Sequence, residues 1–415
     1  MVPLSDCLMP TASARSANSD QPAPAGATSA RARRTGKPFF GLIESVVVES
    51  PANYEFDGAI SREHGNAAWT WMTRDLAPGL IDGDAPESDE ARQTLNALMP
   101  ELLSRTRQAV AAASGNYEAE RRLKTQLGGE IVWSRVPIIL YALKCRSLLE
   151  KAQGFGRAAN GMPDDASLAV ALQSMPLQDQ AVASLLLMAA VGQVANPSRL
   201  MTAVVRITGS AQESAVQRAG FAPLVDAMLA HAQNQLHFLA DNSAYADIDL
   251  TCRAIDRFHR LARAVNGYVE LARNSRWSTV VAALTKQVSE RIEPRLRDVA
   301  GGLNMALRRG REGSDRLDSD QILVALNNVY VLATVRDCRD SLGVNASFDQ
   351  AWTQVGQSLE IHLQRNFDVL RGNPADEVTS ARLDAAIKMA GLRFNAEYAE
   401  TLRRAKDGIE KRASA

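Results

Sequence analysis

Cysteine is scarce and scattered in this sequence: Cys7, Cys145, Cys252 and Cys338 stand far apart, with no CxxC spacing. That excludes the compact thiolate clusters of zinc and redox motifs, and a chain of 415 residues does not read as a small disulfide-stapled domain. Cys145, Cys252 and Cys338 are expected as small buried hydrophobes in a reducing compartment. Long apolar runs are lacking as well. The longest, SLLLMAAVGQV from Ser184, is broken by Gly192, well short of the ~20 residues that cross a bilayer. Charge of either sign is not in excess, since 47 basic and 47 acidic residues cancel. Nucleic acid or an anionic lipid surface is therefore not expected as a partner.

Histidine is nearly as scarce as cysteine, and its spacing is wrong for chemistry. His64, His231, His237, His259 and His362 form no HxxxH or paired ExxH on one helical face, which is what a metal site in a bundle requires. Asp256 and His259 make a single DxxH. Cys252 and His259 share a face but lie two turns apart, roughly 10.5 Å along a helix axis, too far for a thiolate–imidazole pair. No GxSxG, P-loop or GxGxxG occurs, and the glycine pairs Gly128–Gly129 and Gly301–Gly302 lack the Lys and Ser/Thr of a phosphate cradle. No catalytic residue, metal ligand or cofactor is expected. The cluster Arg308, Arg309 and Arg311 falls where a helix should end, where cations complement the macrodipole.

What is present divides into unlike parts. Residues 1–38 are rich in Ala, Ser, Thr, Pro, Gly and Arg (PTASARSANSDQPAPAGATSARARRTGK) and almost without large apolar side chains. Such a segment cannot offset its ordering entropy by burial and is expected to be an unfolded leader. It has no apolar core of the kind a secretory signal peptide needs, and the basic run RARRTGK lacks interleaved aromatics. After one strand-like stretch, FFGLIESVVVES from Phe39 to Ser50, the chain is helical throughout.

Apolar residues recur at spacings of three and four. One stripe runs from Ile248 to Ala272 and another from Trp277 to Leu307. Three more cover Ile322–Ala333, Phe348–Leu370 (Phe348, Trp352, Val355, Leu359, Leu363, Phe367, Leu370) and Leu383–Leu402. The spacing predicts an all-α protein: an irregular multi-helix bundle or a stack of antiparallel helices, five of them long and in the C-terminal half. Residues 39–245 form a helical N-terminal region of shorter helices, in which Leu177–Val191 looks buried all round. Residues 246–415 form the long-helix bundle, either separate or continuous with what precedes.

The stretch NAAWTWMTRDLAPGL, from Asn66, uses two of the 5 tryptophans. Trp69, Met72 and Leu76 share one helical face. Trp71 lies about 200° round the helix from Trp69, near Arg74 and Asp75. Two readings stand: a helix covered on both sides, with Arg74 stacked over the indole, or a protein-contact surface of Trp71, Arg74 and Asp75, since Trp and Arg are enriched where binding energy concentrates.

The leader MVPLSDCLMPTASARSANSDQPAPAGATSARARR, followed by a helical body, resembles type III secreted effectors of plant-associated and plant-pathogenic bacteria. A basic set with only 8 Lys among 47 residues fits a GC-rich bacterial genome. The segment AAWTWMTRDLAPGL is similar to the helical XopP/Hlk-like effectors. This resemblance implies export through a type III apparatus into the host cell cytoplasm, a bacterial secretion chaperone on the leader, and suppression of immunity by binding host proteins without catalysis. Two other classes stay open: a bacterial cytosolic protein-binding component such as a secretion gatekeeper or scaffold, and an enzyme with an unrecognised site.

Overall fold

A computed structural model describes residues 37–49, 53–239, 247–310 and 316–413. The expected leader, apart from Lys37 and Pro38, lies outside the described residues, as do Cys7 and Arg311. Among the described residues there are 17 α-helices and a single sheet of two-residue strands, so the fold is all-α. No helix among them is long and apolar enough to cross a membrane.

The chain divides into two compact units, one holding the residues up to Glu44 with His64–Lys144, the other Ser45–Glu63 with Cys145–Ala415. The first contains α1 (Pro38–Ile43), most of α2 (Arg62–Trp71), α3 (Asp89–Ala113), α4 (Tyr117–Leu127) and α5 (Glu130–Lys144). The strand-like stretch begins as helix instead. Pro38 stands at the start of α1, where its fixed φ favours a helix and its missing N–H costs nothing. Strand character survives only at β1 (Val47–Val48), parallel to β2 (Ile60–Ser61). Ser88 caps α3 by accepting from Ala91 N–H at 3.0 Å, and Asp89 and Glu90 sit in its first turn, favourable against the positive helix end.

Both indoles of α2 are inside: Trp69 is fully buried and Trp71 is 1% exposed. The solvent stripe is narrow, made of Glu63, Thr70 and Arg74, which fall at spacings of seven and four on one line of the helix. Past Trp71 the helix widens into one π turn, Met72–Leu76, closed by Ala77 N–H donating to the Met72 carbonyl at 3.0 Å. Phe39 stacks on Trp69 with centroids 4.9 Å apart, and Trp69 Nε1–H donates to the Gly83 carbonyl at 3.0 Å.

The second unit is built around α8 (Gln180–Val191), whose residues Ala183 to Val191 are all buried. The first part of the run expected to be buried all round, Leu177–Val182, is not, because Gln178 to Ala181 are exposed where the chain turns into the capped start of α8. Asp179 caps it through Ala181 and Val182 N–H. Against it pack α6 (Arg146–Gly161) and α11 (Ala222–Phe238). The approach of α6 is close: a Cβ on Gly156 would lie 2.2 Å from the Ala190 carbonyl oxygen. The shorter helices α7 (Asp165–Gln173), α9 (Pro197–Thr208) and α10 (Glu213–Arg218) lie between them in sequence. No domain boundary falls at 245/246, because α12 (Ile248–Tyr268) packs on both α11 and α9. Arg257 of α12 donates to the Val191 and Val194 carbonyls at 2.6 and 2.5 Å, satisfying the C-terminal end of α8.

The long helices α13 (Arg276–Ala306), α14 (Ser319–Cys338), α15 (Asn345–Gly372) and α16 (Glu377–Arg393) follow, then α17 (Ala396–Ala413). The last apolar stripe is therefore two helices, not one. Asn395 stops the run by accepting from Tyr398 N–H at 2.7 Å, an N-cap for α17. The α13 stripe is buried from Trp277 to Leu303, and α13 packs on α14 and α15, with α16 against both of those.

Candidate functional site

The surface expected from Trp71, Arg74 and Asp75 does not form around Trp71, which lies inside. Arg74 and Asp75 are side by side, and their side chains close on each other through bonds of 2.9 and 2.8 Å. The hydrogen bond to Arg74 holds the Asp75 carboxyl below the usual carboxylate range. Arg74 thus spends its fork on its neighbour rather than on the indole.

Three of the histidines and two of the cysteines are occupied structurally. His231 donates from Nε2 to the Met188 carbonyl at 2.8 Å, and burial pushes its pKa down to about 4. His259 Nδ1 meets Ser341 Oγ at 3.0 Å, and His362 Nε2 meets Asn304 Oδ1 at 3.0 Å. Burial raises the Cys252 and Cys338 thiols to about 11 and 12, so neither supplies thiolate near neutrality. Among the described residues no three His, Cys, Asp or Glu side chains are grouped to hold a metal ion. Gly128 closes α4 in the left-handed conformation, with φ 88°, and Gly301–Gly302 lie within α13. Arg308 and Arg309 follow the end of α13 as expected. In the first unit a cleft of about 360 Å³ is lined by Leu80, Ile81, Leu95 and Leu98, with Asp82 and Glu90 among its polar residues.

A different feature stands out where α14 and α16 end and α15 and α17 begin. Along the α15 stripe every residue from Phe348 to Leu370 is buried except Trp352, which is half-buried. Phe348 stacks beneath it, centroids 5.4 Å apart and planes at 26°. Two guanidinium groups approach the indole. Arg393, in the last turn of α16, has its Cζ 4.0 Å from the ring centroid, and Arg336, in the last turn of α14, is at 5.6 Å. Both distances lie within cation–π range.

The series continues outward. Arg393 is also 4.9 Å from the Phe394 ring, and Phe394 meets the exposed Tyr398 edge-on at 5.2 Å. Arg339 lies 5.6 Å from the Phe348 ring. Rings and guanidiniums thus alternate from the core to the surface, contributed by four helices.

The charges of this cluster are not equivalent. Arg336 is paired with Asp337 and Arg339 with Asp349, at 2.8 and 3.1 Å. Arg393 uses Nε to donate to the Trp352 carbonyl at 2.8 Å. Its Nη groups have no carboxylate or carbonyl partner among the described residues. Burial lowers its pKa, and Glu360 partly offsets this at a separation beyond ion-pair distance.

Trp352 had been placed on the core stripe by its spacing, four residues after Phe348. The available signal was the position of the basic residues: Arg336 and Arg393 are each in the last turn of a helix. In an antiparallel array those ends meet the beginning of the intervening helix. Comparison with protein-family models, curated proteins and solved structures returns no match to this chain.

Proposed function

We propose that this chain acts by binding other proteins, with the Trp352–Arg393–Tyr398 end of the long-helix bundle as its contact surface. The observation that carries the reading is a half-buried tryptophan with two arginines within cation–π range of its ring. Trp, Tyr and Arg are the residue types in which binding energy concentrates, because a rigid ring or fork loses little entropy when covered. The Cys252 and Cys338 thiols held protonated and His231, His259 and His362 committed to internal hydrogen bonds favour recognition over nucleophilic or acid–base chemistry at those residues.

The biological setting follows the leader. A Ser-, Ala-, Pro- and Arg-rich start ahead of a helical body supports a type III effector that enters a host cell and suppresses immunity by binding a host protein, with a bacterial chaperone on the leader before export. Quantitative affinity capture from host extract, comparing the full chain with Trp352→Ala, tests the surface: partners that define the function are expected to drop out with the variant. Equal recovery by both proteins would refute it. Deleting residues 1–36 tests delivery separately, and unimpaired export of the truncated chain through a type III apparatus would remove the effector reading.

A further inference from the structure

Among the arginines of the aromatic end, Arg393 is held most firmly and neutralised least. Its guanidinium is placed by the Trp352 indole at 4.0 Å, the Phe394 ring at 4.9 Å and the Nε bond to the Trp352 carbonyl. The backbone of α15 lies against one side of the group, since a Cβ on Gly356 would lie 2.8 Å from Nη2 and 3.1 Å from Cζ. With Nε engaged, what is left is the edge formed by the two Nη groups. That edge is the one that meets a carboxylate end-on with two parallel hydrogen bonds. The side chain has already lost its rotamer freedom, so a carboxylate docking there does not have to order it.

We infer that this surface recognises a protein segment carrying an aspartate or glutamate, whose carboxylate forks onto Arg393 while an adjacent apolar side chain covers Trp352 and Tyr398. The inference rests on the protein-binding reading of the same surface and specifies its partner. Charge complementarity argues for this occupant: Arg336 and Arg339 are already ion-paired, whereas Arg393 has only Glu360, beyond ion-pair distance. The rings beside it favour an apolar neighbour of the acid over a uniformly acidic tract.

The test is selection of a displayed random-peptide library on the full chain, followed by binding measurements on the enriched peptides as synthetic ligands. The expected result is enrichment of an acidic residue beside an aromatic or aliphatic one. Changing that acid to its amide should weaken binding at least about tenfold, as should Arg393→Gln, with little further loss when both changes are combined. Arg393→Lys, which keeps the charge but not the fork, should fall between.

Circular dichroism and a thermal melt on each variant separate loss of recognition from loss of fold. Peptides that need Trp352 but contain no acid, or whose acid is indifferent to Arg393, would overturn the carboxylate inference and leave the contact surface standing. Peptides indifferent to both Trp352→Ala and Arg393→Gln, or no enrichment at all, would count against both.

Discussion

Gly356 and Arg393 are matched across two helices: a Cβ on Gly356 would lie 2.8 Å from Arg393 Nη2 and 3.2 Å from Nε. Glycine inside a helix costs about 1 kcal/mol relative to alanine, so its place in α15 reflects the space the guanidinium needs. Gly356→Ala should push the guanidinium off the indole rather than displace the helix. The helix gain is expected to offset the lost Nε bond, itself about 1 kcal/mol, and leave the melting temperature within a few degrees. The emission of Trp352 should change, and the change should vanish in a Trp352→Phe background. An unaltered spectrum with a large loss of stability would mean that the backbone moved instead.

His231 makes stability depend on pH. Its folded pKa, about 4, is depressed by burial and by the nearby Arg257 charge, against the ordinary imidazole value of 6.5. The unfolded chain therefore binds the proton first as pH falls. The contribution is fully present above pH 6.5 and is lost progressively down to pH 4. It amounts to at most about 3 kcal/mol, reduced in practice because the residue as a whole is half-buried. His259 and His362, also depressed by burial, act in the same direction. Urea unfolding at pH 7, 6, 5 and 4 should show falling stability, with a shallower slope for His231→Gln. An unchanged slope would contradict this.

Reactivity of the thiols should follow unfolding. Cys252 and Cys338, raised by burial to about 11 and 12, present no thiolate at pH 8, and Cys145 is buried as they are. In a Cys7→Ser background, labelling by a thiol reagent should be slow in buffer. It should rise with the same denaturant midpoint as the loss of helical signal. Rapid labelling of the native protein would show that one of these sites opens locally.

Periodicity made the helices legible because a face that packs must repeat near 3.6 residues. The stripe from Trp277 to Leu303 is buried as the spacing predicts, and so is that from Phe348 to Leu370 apart from Trp352; of the run Leu177–Val191 expected at the centre, Ala183–Val191 is buried. Apolar spacing does not register a cap, so Asn395 divided one predicted helix into two. Nor does it say which end of a stripe reaches solvent. Trp352 fits its stripe but sits at the end of the array, and Trp71, for which spacing leaves both a covered helix and a contact surface open, lies on a helix covered over most of its circumference. The pairing of helix ends that brings Arg336 and Arg393 onto Trp352 depends on tertiary neighbours, and its one local trace is a basic residue in the last turn of each helix.

The two indoles of α2 should respond differently to the same substitution. Trp69 donates from Nε1 to the Gly83 carbonyl at 3.0 Å, so Trp69→Phe loses that bond and deprives the carbonyl of its donor. Trp71 is equally buried, but its Nε1–H meets no acceptor among the described residues. Trp71→Phe loses the same volume while removing a donor that is costly to bury unpaired. The volume terms being alike, Trp69→Phe should be the more destabilising by about 1–3 kcal/mol in chemical unfolding. Equal losses would mean that the Trp71 N–H is satisfied in solution. A greater loss at Trp71 would mean that packing around it, and not hydrogen bonding, decides which tryptophan holds this helix in place.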